Sequence, residues 1–161
     1  MPVRAINGLV DTFRHTLDTK KRLTIPSEWR DALKDPAYVY VMPSAEEDCL
    51  DLIPAELMER MLAKYQDADF FDDEADADAQ AIAAHAQMLK VDSAGRIRIG
   101  DDLLAHAGIK SGVTMIGGIR KATLWAIERK PAPAKGKLDL TEYRAVVEKR
   151  KKLAQAAKGL V

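Results

Sequence analysis

The chain repeats one pattern of apolar and polar positions, and the two copies lie 74 residues apart. Each copy reads apolar, Asp, three further residues, Arg, apolar, one polar residue and Ile, over residues 17–25 and 91–99. An apolar residue before Asp, with alternating apolar residues after Arg, predicts a strand, a tight turn and a second strand that buries one face. A repeat of this kind predicts two copies of one small folding unit.

The two turns have their own residue chemistry. Asp18 and Asp92 are expected to close them, because an aspartate side chain accepts hydrogen bonds from backbone N–H groups two or three residues further on. Gly95 permits the positive φ that such a turn often needs. Lys21 holds the matching position in the first copy, so it must either accept modest strain or adopt another type of turn.

A short helix is predicted after each second strand. Ser27 and Asp101 are its expected N-caps in the two copies, and Gly108 stands where a glycine ends a helix. A linker rich in Pro and Gly at residues 131–136 precedes a last helix, predicted over residues 139–157. Four further strands are predicted over residues 38–41, 50–53, 113–116 and 123–127.

Composition narrows the class of protein. Apolar residues make up 47% of 161 residues, which suits one domain or two small intertwined halves with a core. The sequence contains no apolar run of membrane-spanning length, and the N-terminus lacks the apolar stretch of a signal peptide. The single cysteine, Cys49, precedes an apolar strand and is expected to be a buried apolar residue in a reducing compartment. We therefore expect a cytoplasmic protein without a membrane partner.

Charge is balanced overall but unevenly distributed. The formal net charge is zero, which argues against coating nucleic acid by bulk charge. Acidic residues concentrate between residues 67 and 78, whereas basic residues surround the first turn and fill the last helix. Segregation of this kind can build a local positive face on a neutral molecule.

The basic residues of the turns are the candidate DNA contacts. Lysine and arginine on exposed turns bind phosphates, and arginine also reads guanine in the major groove. Lys20 and Arg22 face the same side if their backbone is extended. The alternative is structural: Arg22 pairs with Asp18 or with a neighbouring subunit, and Arg96 likewise makes a structural pair. The candidate DNA-binding residues are Arg14, Lys20, Lys21, Arg22 and Arg96, and the turn-structuring residues are Asp18, Asp92 and Gly95.

No pattern in the chain predicts catalysis. The acidic run could offer carboxylates to Mg²⁺ or Ca²⁺, but it lacks the spacing of a calcium loop. An acid-rich helix N-terminus or a solvated linker is the preferred interpretation. The histidines lack zinc spacing, and neither a phosphate loop nor a nucleophile elbow is present. We therefore predict no catalytic residue, no metal site, no cofactor and no enzymatic activity.

The ordered elements resemble those of the MraZ family, bacterial transcriptional regulators of the SpoVT/AbrB-like swapped-hairpin superfamily. The resemblance covers roughly residues 9–128 and rests on the two turns, the strand at residues 49–54 and the closing hairpin at residues 116–125. Lys21 stands where the family usually has Gly, and Gly100 where it usually has Pro. The resemblance implies an α+β fold. Two tandem pseudo-repeat units of the βαβ-type, SpoVT/AbrB-like, would pack as one intertwined small-sheet domain, plus a C-terminal helix.

The expected domain organisation follows from the repeat and the charge pattern. A first SpoVT/AbrB-like unit is separated from a second by an acidic linker or helix, and a linker with a basic C-terminal helix follows. The boundaries are 5–66 for the first unit, 67–84 for the acidic segment, 85–130 for the second unit and 131–161 for the C-terminal part.

The resemblance also implies a function. A closed ring of identical subunits is expected to bind double-stranded DNA at short direct repeats in the promoter of the division and cell-wall gene cluster, in association with the nucleoid. Two alternatives stay open: an AbrB-type antitoxin that binds DNA and a toxin, and a structural ring that binds no DNA. The C-terminal helix either docks on the ring or adds non-specific DNA affinity as a basic arm.

Overall fold

The computed structural model describes residues 8–131 and 137–159, so nearly all of the predicted linker at 131–136 lies outside the described residues. The fold within these ranges is α+β. From the first repeat to the acidic segment, the elements are β1 (Thr12–Thr16), β2 (Arg22–Thr24), α1 (Ser27–Ala32), β3 (Tyr38–Pro43), β4 (Leu50–Pro54), α2 (Ala55–Gln66) and α3 (Asp73–Ala83). The remaining elements are β5 (Gln87–Lys90), β6 (Arg96–Arg98), α4 (Asp101–Ala107), β7 (Gly112–Gly117), β8 (Ala122–Ala126) and α5 (Thr141–Gly159).

Two antiparallel sheets organise these elements. The larger has six strands in the order β1-β7-β8-β4-β3-β5, and the smaller pairs β2 with β6. Every predicted strand and the C-terminal helix are present, which confirms the α+β class. All six strand pairings are antiparallel, so the βαβ-type units contain no parallel pair among the described strands.

The two repeats are interwoven through their strands. The first strand of each repeat pairs with a strand of the other repeat, β1 with β7 and β5 with β3. Equivalent hydrogen bonds extend the two pairings by one residue. The Leu17 N–H donates to the Ser111 carbonyl at 2.9 Å, and the Val91 N–H donates to the Ala37 carbonyl at 2.9 Å. Neither half therefore has a complete sheet of its own.

The core includes the apolar side chains of the strands that follow the two turns, as the alternating pattern predicts. Leu23, Ile25, Ile97 and Ile99 are at most 1% exposed, and Leu23 faces Ile97 in the β2–β6 pairing. Burying these side chains contributes roughly 1.5–3 kcal/mol each to the free energy of folding. The strands that follow the two turns thus contribute to the apolar contact between the repeats, together with residues of the six-stranded sheet.

The helix N-caps differ from the prediction. Pro26 and Gly100, not Ser27 and Asp101, are the N-caps of α1 and α4, and neither cap makes a side-chain hydrogen bond. Both residues have extended backbone, so each helix begins one residue earlier than expected. Gly108 ends α4 with φ of 67°, as predicted.

The matching turn positions both adopt the left-handed conformation. Gly95 has φ of 78°, and Lys21 has φ of 58°. Lys21 therefore accepts the strain instead of changing the turn, at a cost of about 1–2 kcal/mol for a residue with a Cβ. A Cβ at Gly95 would also lie 2.6 Å from the Arg30 side chain.

Substitutions at these two positions test whether the left-handed conformation strains Lys21 and requires glycine at position 95. Gly95→Ala should lower the free energy of unfolding by more than about 1 kcal/mol, because it adds both left-handed strain and the contact with Arg30. Lys21→Gly should change it by less than about 1 kcal/mol, because relief of strain is offset by the greater freedom of glycine in the unfolded chain. Urea unfolding at one fixed protein concentration measures both. Equal losses in the two variants would contradict the account.

Candidate nucleic-acid interface

Both turns are closed in the same way by their aspartates. Asp18 Oδ1 accepts hydrogen bonds from the N–H groups of Lys20 at 2.9 Å and Arg22 at 2.8 Å. Asp92 Oδ1 accepts from the N–H groups of Ala94 at 2.9 Å and Arg96 at 2.9 Å. The donors in both turns lie two and four residues further on, where the sequence predicts donors two or three residues on.

The small sheet brings the two turns together into one charged group. Arg22 Nε lies 2.7 Å from Asp18 Oδ2, and Arg96 Nε lies 2.9 Å from Asp92 Oδ2. The crossed distances, from Arg22 Nη1 to Asp92 Oδ2 and from Arg96 Nη1 to Asp18 Oδ2, are both 4.0 Å. We call these four residues the paired-turn cluster. Its side chains are 29–34% exposed, so it lies at the surface with its inner side covered.

The electrostatics of the cluster keep its carboxylates ionised. The hydrogen bond from the Arg22 backbone N–H lowers the pKa of Asp18 below its ordinary value of 3.8, and the Arg22 guanidinium lowers it further. The pKa of Asp92 is lowered in the same way by the backbone N–H and the guanidinium of Arg96. Two carboxylates and two guanidinium groups therefore stand close together at neutral pH, and their charges balance.

A second ion-pair group joins the first turn to the second repeat. Asp101 Oδ1 lies 2.8 Å from Arg98 Nη2 and 3.5 Å from Lys21 Nζ. The hydrogen bond from Arg98, then the charge of Lys21, lower the pKa of the Asp101 carboxyl. Sequence reasoning missed this role of Asp101, because Lys21 is 80 residues away along the chain and only the paired turns bring them together.

Lys20 and Arg22 are expected to face the same side only if the backbone between them is extended. That condition is not met, because the Lys21 N–H donates to the Asp18 carbonyl at 2.9 Å and closes a tight turn. Lys20 is exposed, whereas Arg22 is partly covered and held by Asp18. The structure thus brings four of the five candidate DNA-binding residues to the paired turns. Arg14 lies outside them, on the exposed face of β1.

The other chemical candidates have structural roles. Cys49 is 1% exposed and its burial raises the pKa of the thiol, which confirms the prediction of a buried apolar residue. Asp72 caps α3 by accepting a hydrogen bond from the Ala75 N–H at 3.0 Å, so the acidic run begins a helix. Within residues 8–131 and 137–159, no group of three or more His, Cys, Asp or Glu residues could hold a metal ion. None of the described helices is long and apolar enough to cross a membrane.

The lowered pKa values predict an acid dependence of stability. A carboxyl group whose pKa is lower in the folded state contributes stability above its unfolded pKa, and that contribution is lost as pH falls towards the folded pKa. The double variant Asp18→Asn/Asp92→Asn should therefore lose less of its free energy of unfolding than the wild type between about pH 5 and about pH 3. Urea unfolding across this pH range measures the difference. Glu128→Gln, at an exposed position, serves as control, and equal acid sensitivity in all three proteins would contradict the prediction.

Comparison with known proteins gives a consistent assignment. Residues 9–80 match the model of the family described as "MraZ protein, putative antitoxin-like". A Caulobacter vibrioides protein named transcriptional regulator MraZ is 30% identical over 152 residues, which cover 93% of this chain and 97% of the relative. Proteins with the same name from Gluconacetobacter diazotrophicus and Saccharopolyspora erythraea are 32% and 30% identical, covering 77% and 73% of this chain and 84% and 80% of the relatives. The chain belongs to the MraZ family.

Proposed function

We propose that this protein is a sequence-specific DNA-binding transcriptional regulator, and that the paired turns form its DNA-binding surface. The observation that carries the proposal is the junction of two arginine-bearing turns by the β2–β6 pairing, with the exposed lysines of the first turn beside two positioned arginines. The curated relatives named above are called transcriptional regulators, and none of those names describes an enzyme.

The basic residues divide into two roles in this proposal. Arg14, Lys20 and Lys21 contact phosphates, because their side chains are exposed and lysine binds phosphate as a flexible point charge. Arg22 and Arg96 each use Nε for an aspartate, which fixes the guanidinium plane while about a third of the side chain is exposed. A guanidinium fixed in this way is suited to read the edge of guanine, since less rotamer entropy is lost on binding.

Repetition of the surface gives the affinity that one copy lacks. A single chain offers only a few cations, and the carboxylates of the paired-turn cluster offset part of their charge. Several copies in a closed ring would make later contacts effectively intramolecular, which raises avidity by roughly 10²-fold or more. Direct repeats spaced about 10 bp apart present the same groove to successive copies.

Exposed apolar side chains support assembly into an oligomer. Val10, Met88 and Ile119 are 60–65% exposed. Exposed large apolar residues of this kind often mark contacts between subunits. The proposed setting is the cytoplasm, in association with the nucleoid, and the proposed target is the promoter of the division and cell-wall gene cluster, as the family resemblance implies.

Removing the two turn lysines tests the proposed surface. Lys20→Ala/Lys21→Ala should weaken binding to the DNA upstream of the protein's own gene by at least roughly tenfold, because phosphate contacts are lost in every copy. The salt dependence should fall by about one unit of slope for each lysine that meets a phosphate. Fluorescence anisotropy against the upstream fragment and a scrambled duplex, at two salt concentrations, measures both effects.

A matched control separates local contact from general charge. Arg60→Ala/Lys64→Ala removes two exposed cations from α2 and should leave DNA affinity nearly unchanged. Equal losses in the two double variants would overturn the assignment of the paired turns. Absence of any preference for the upstream fragment in the wild-type protein would overturn sequence-specific regulation itself, and absence of all DNA binding would favour a structural ring.

An antitoxin is the second candidate function, because the description of the matched family includes this class. Such a protein would bind DNA with the same surface and would also hold a toxin. Purification of a stable complex with the product of an adjacent gene would favour it, whereas purification of the regulator alone from cells that express both genes would argue against it.

A further inference from the structure

The C-terminal helix has an unpartnered apolar face. Helix α5 buries none of its residues, and Tyr143, Val146 and Leu153 are 65%, 56% and 52% exposed. Together with Val147 and Ala154, these residues recur at steps of three, four and seven, so they form one stripe along the helix. An exposed apolar stripe along one face is typical of a helix that packs against another protein surface.

The same helix is strongly basic. It carries six basic side chains against two acidic ones, and the basic ones are Arg144, Lys149, Arg150, Lys151, Lys152 and Lys158. A surface that receives the stripe must therefore be apolar at its centre and acidic around it, because like charges across a contact repel.

One described region of the chain has these properties. Residues 67–78, which we call the acidic aromatic segment, contain seven acidic residues and no basic one. Phe70 and Phe71 lie within it, 87% and 84% exposed, with ring centroids 5.2 Å apart in an edge-to-face arrangement. Helix α3, which begins in this segment, buries none of its residues.

We propose that helix α5 of one copy docks on the acidic aromatic segment of a second copy. The stripe through Tyr143 covers the exposed Phe70 and Phe71 rings, and the basic residues beside it meet the carboxylates. Both surfaces stay uncovered within the single chain, and the basic helix complements the acidic segment in charge, so we assign a second copy of the chain as the occupant. The contact also relieves repulsion among seven acidic residues that have no basic neighbour in their own segment.

The apolar stripe distinguishes this partner from DNA. A basic arm that binds phosphates needs only lysine and arginine, since phosphate contacts are electrostatic and independent of sequence. A row of Tyr, Val and Leu side chains serves a protein surface instead. The inference does not rest on DNA binding by the paired turns, so either proposal can fail without the other.

Cross-linking between isotopically distinct copies tests the docking. Full-length ¹⁴N and ¹⁵N protein is mixed, unfolded and refolded together, and treated with a zero-length carbodiimide reagent that joins lysine to carboxylate. Mass spectrometry should then find mixed-isotope peptides that join residues 149–158 to residues 67–78. Phe70→Ser/Phe71→Ser should reduce their yield by roughly tenfold or more, because two buried aromatic side chains are lost from the contact. Leu138→Ser, at an exposed apolar residue outside both α5 and the acidic aromatic segment, should leave the yield unchanged.

Exchanging basic residues of α5 for acidic ones, and acidic residues of the segment for basic ones, tests the docking without the aromatic variant. Lys149→Glu/Lys151→Glu should suppress the cross-links, and adding Asp73→Lys/Glu74→Lys to the same chain should restore them. Cross-links found only within single-isotope peptides, or none between these segments, would overturn the proposal. Suppressed DNA binding in the lysine variant, with no cross-links in the wild type, would instead identify α5 as a DNA arm. Anisotropy of the Phe70→Ser/Phe71→Ser protein with the upstream fragment measures DNA binding when the docking surface is altered and every lysine is kept. Retained binding in that protein shows that the proposed function holds even where the docking proposal fails.

Discussion

The pairing of β2 with β6 is the constraint on which the other features depend. It buries Leu23 against Ile97 in the core and sets the two aspartate-closed turns side by side at the surface. The same pairing places each arginine 4.0 Å from the aspartate of the opposite turn. Because β2 and β6 come from different repeats, the small sheet needs both halves of the chain.

Local pattern predicted local structure well in this chain. The alternation around Leu23 and Ile97 predicted the buried strand faces, and Asp18 and Asp92 predicted the turns. Both predictions were possible because these features depend on neighbours within a few residues. Pairing between distant segments could not be predicted in this way. The Lys21–Asp101 contact, for example, exists only because the fold joins the repeats. The predicted N-caps failed because Pro26 and Gly100 already have the extended backbone that a cap requires.

The two proposals depend on the uneven distribution of charge along a chain that has no net charge. The molecule has no net charge, yet one group of exposed cations lies beside the paired turns and another along α5, while seven acidic residues collect in the acidic aromatic segment. Separation of charge on a neutral chain allows one surface to attract phosphate and another to attract a basic helix. The proposed docking contact and the proposed DNA contact therefore use different residues.

Site-specific photo-cross-linking to DNA tests the central claim most directly. Thr19 and Ser93 are exposed and occupy equivalent positions in the two turns, and Ala77 is exposed on α3. Each is replaced in turn by p-benzoylphenylalanine, and the full-length protein is irradiated with the upstream fragment. The account predicts DNA adducts from positions 19 and 93 and none from position 77. Adducts from position 77 alone, or equal yields from all three positions, would contradict the assignment of the paired turns as the DNA-binding surface.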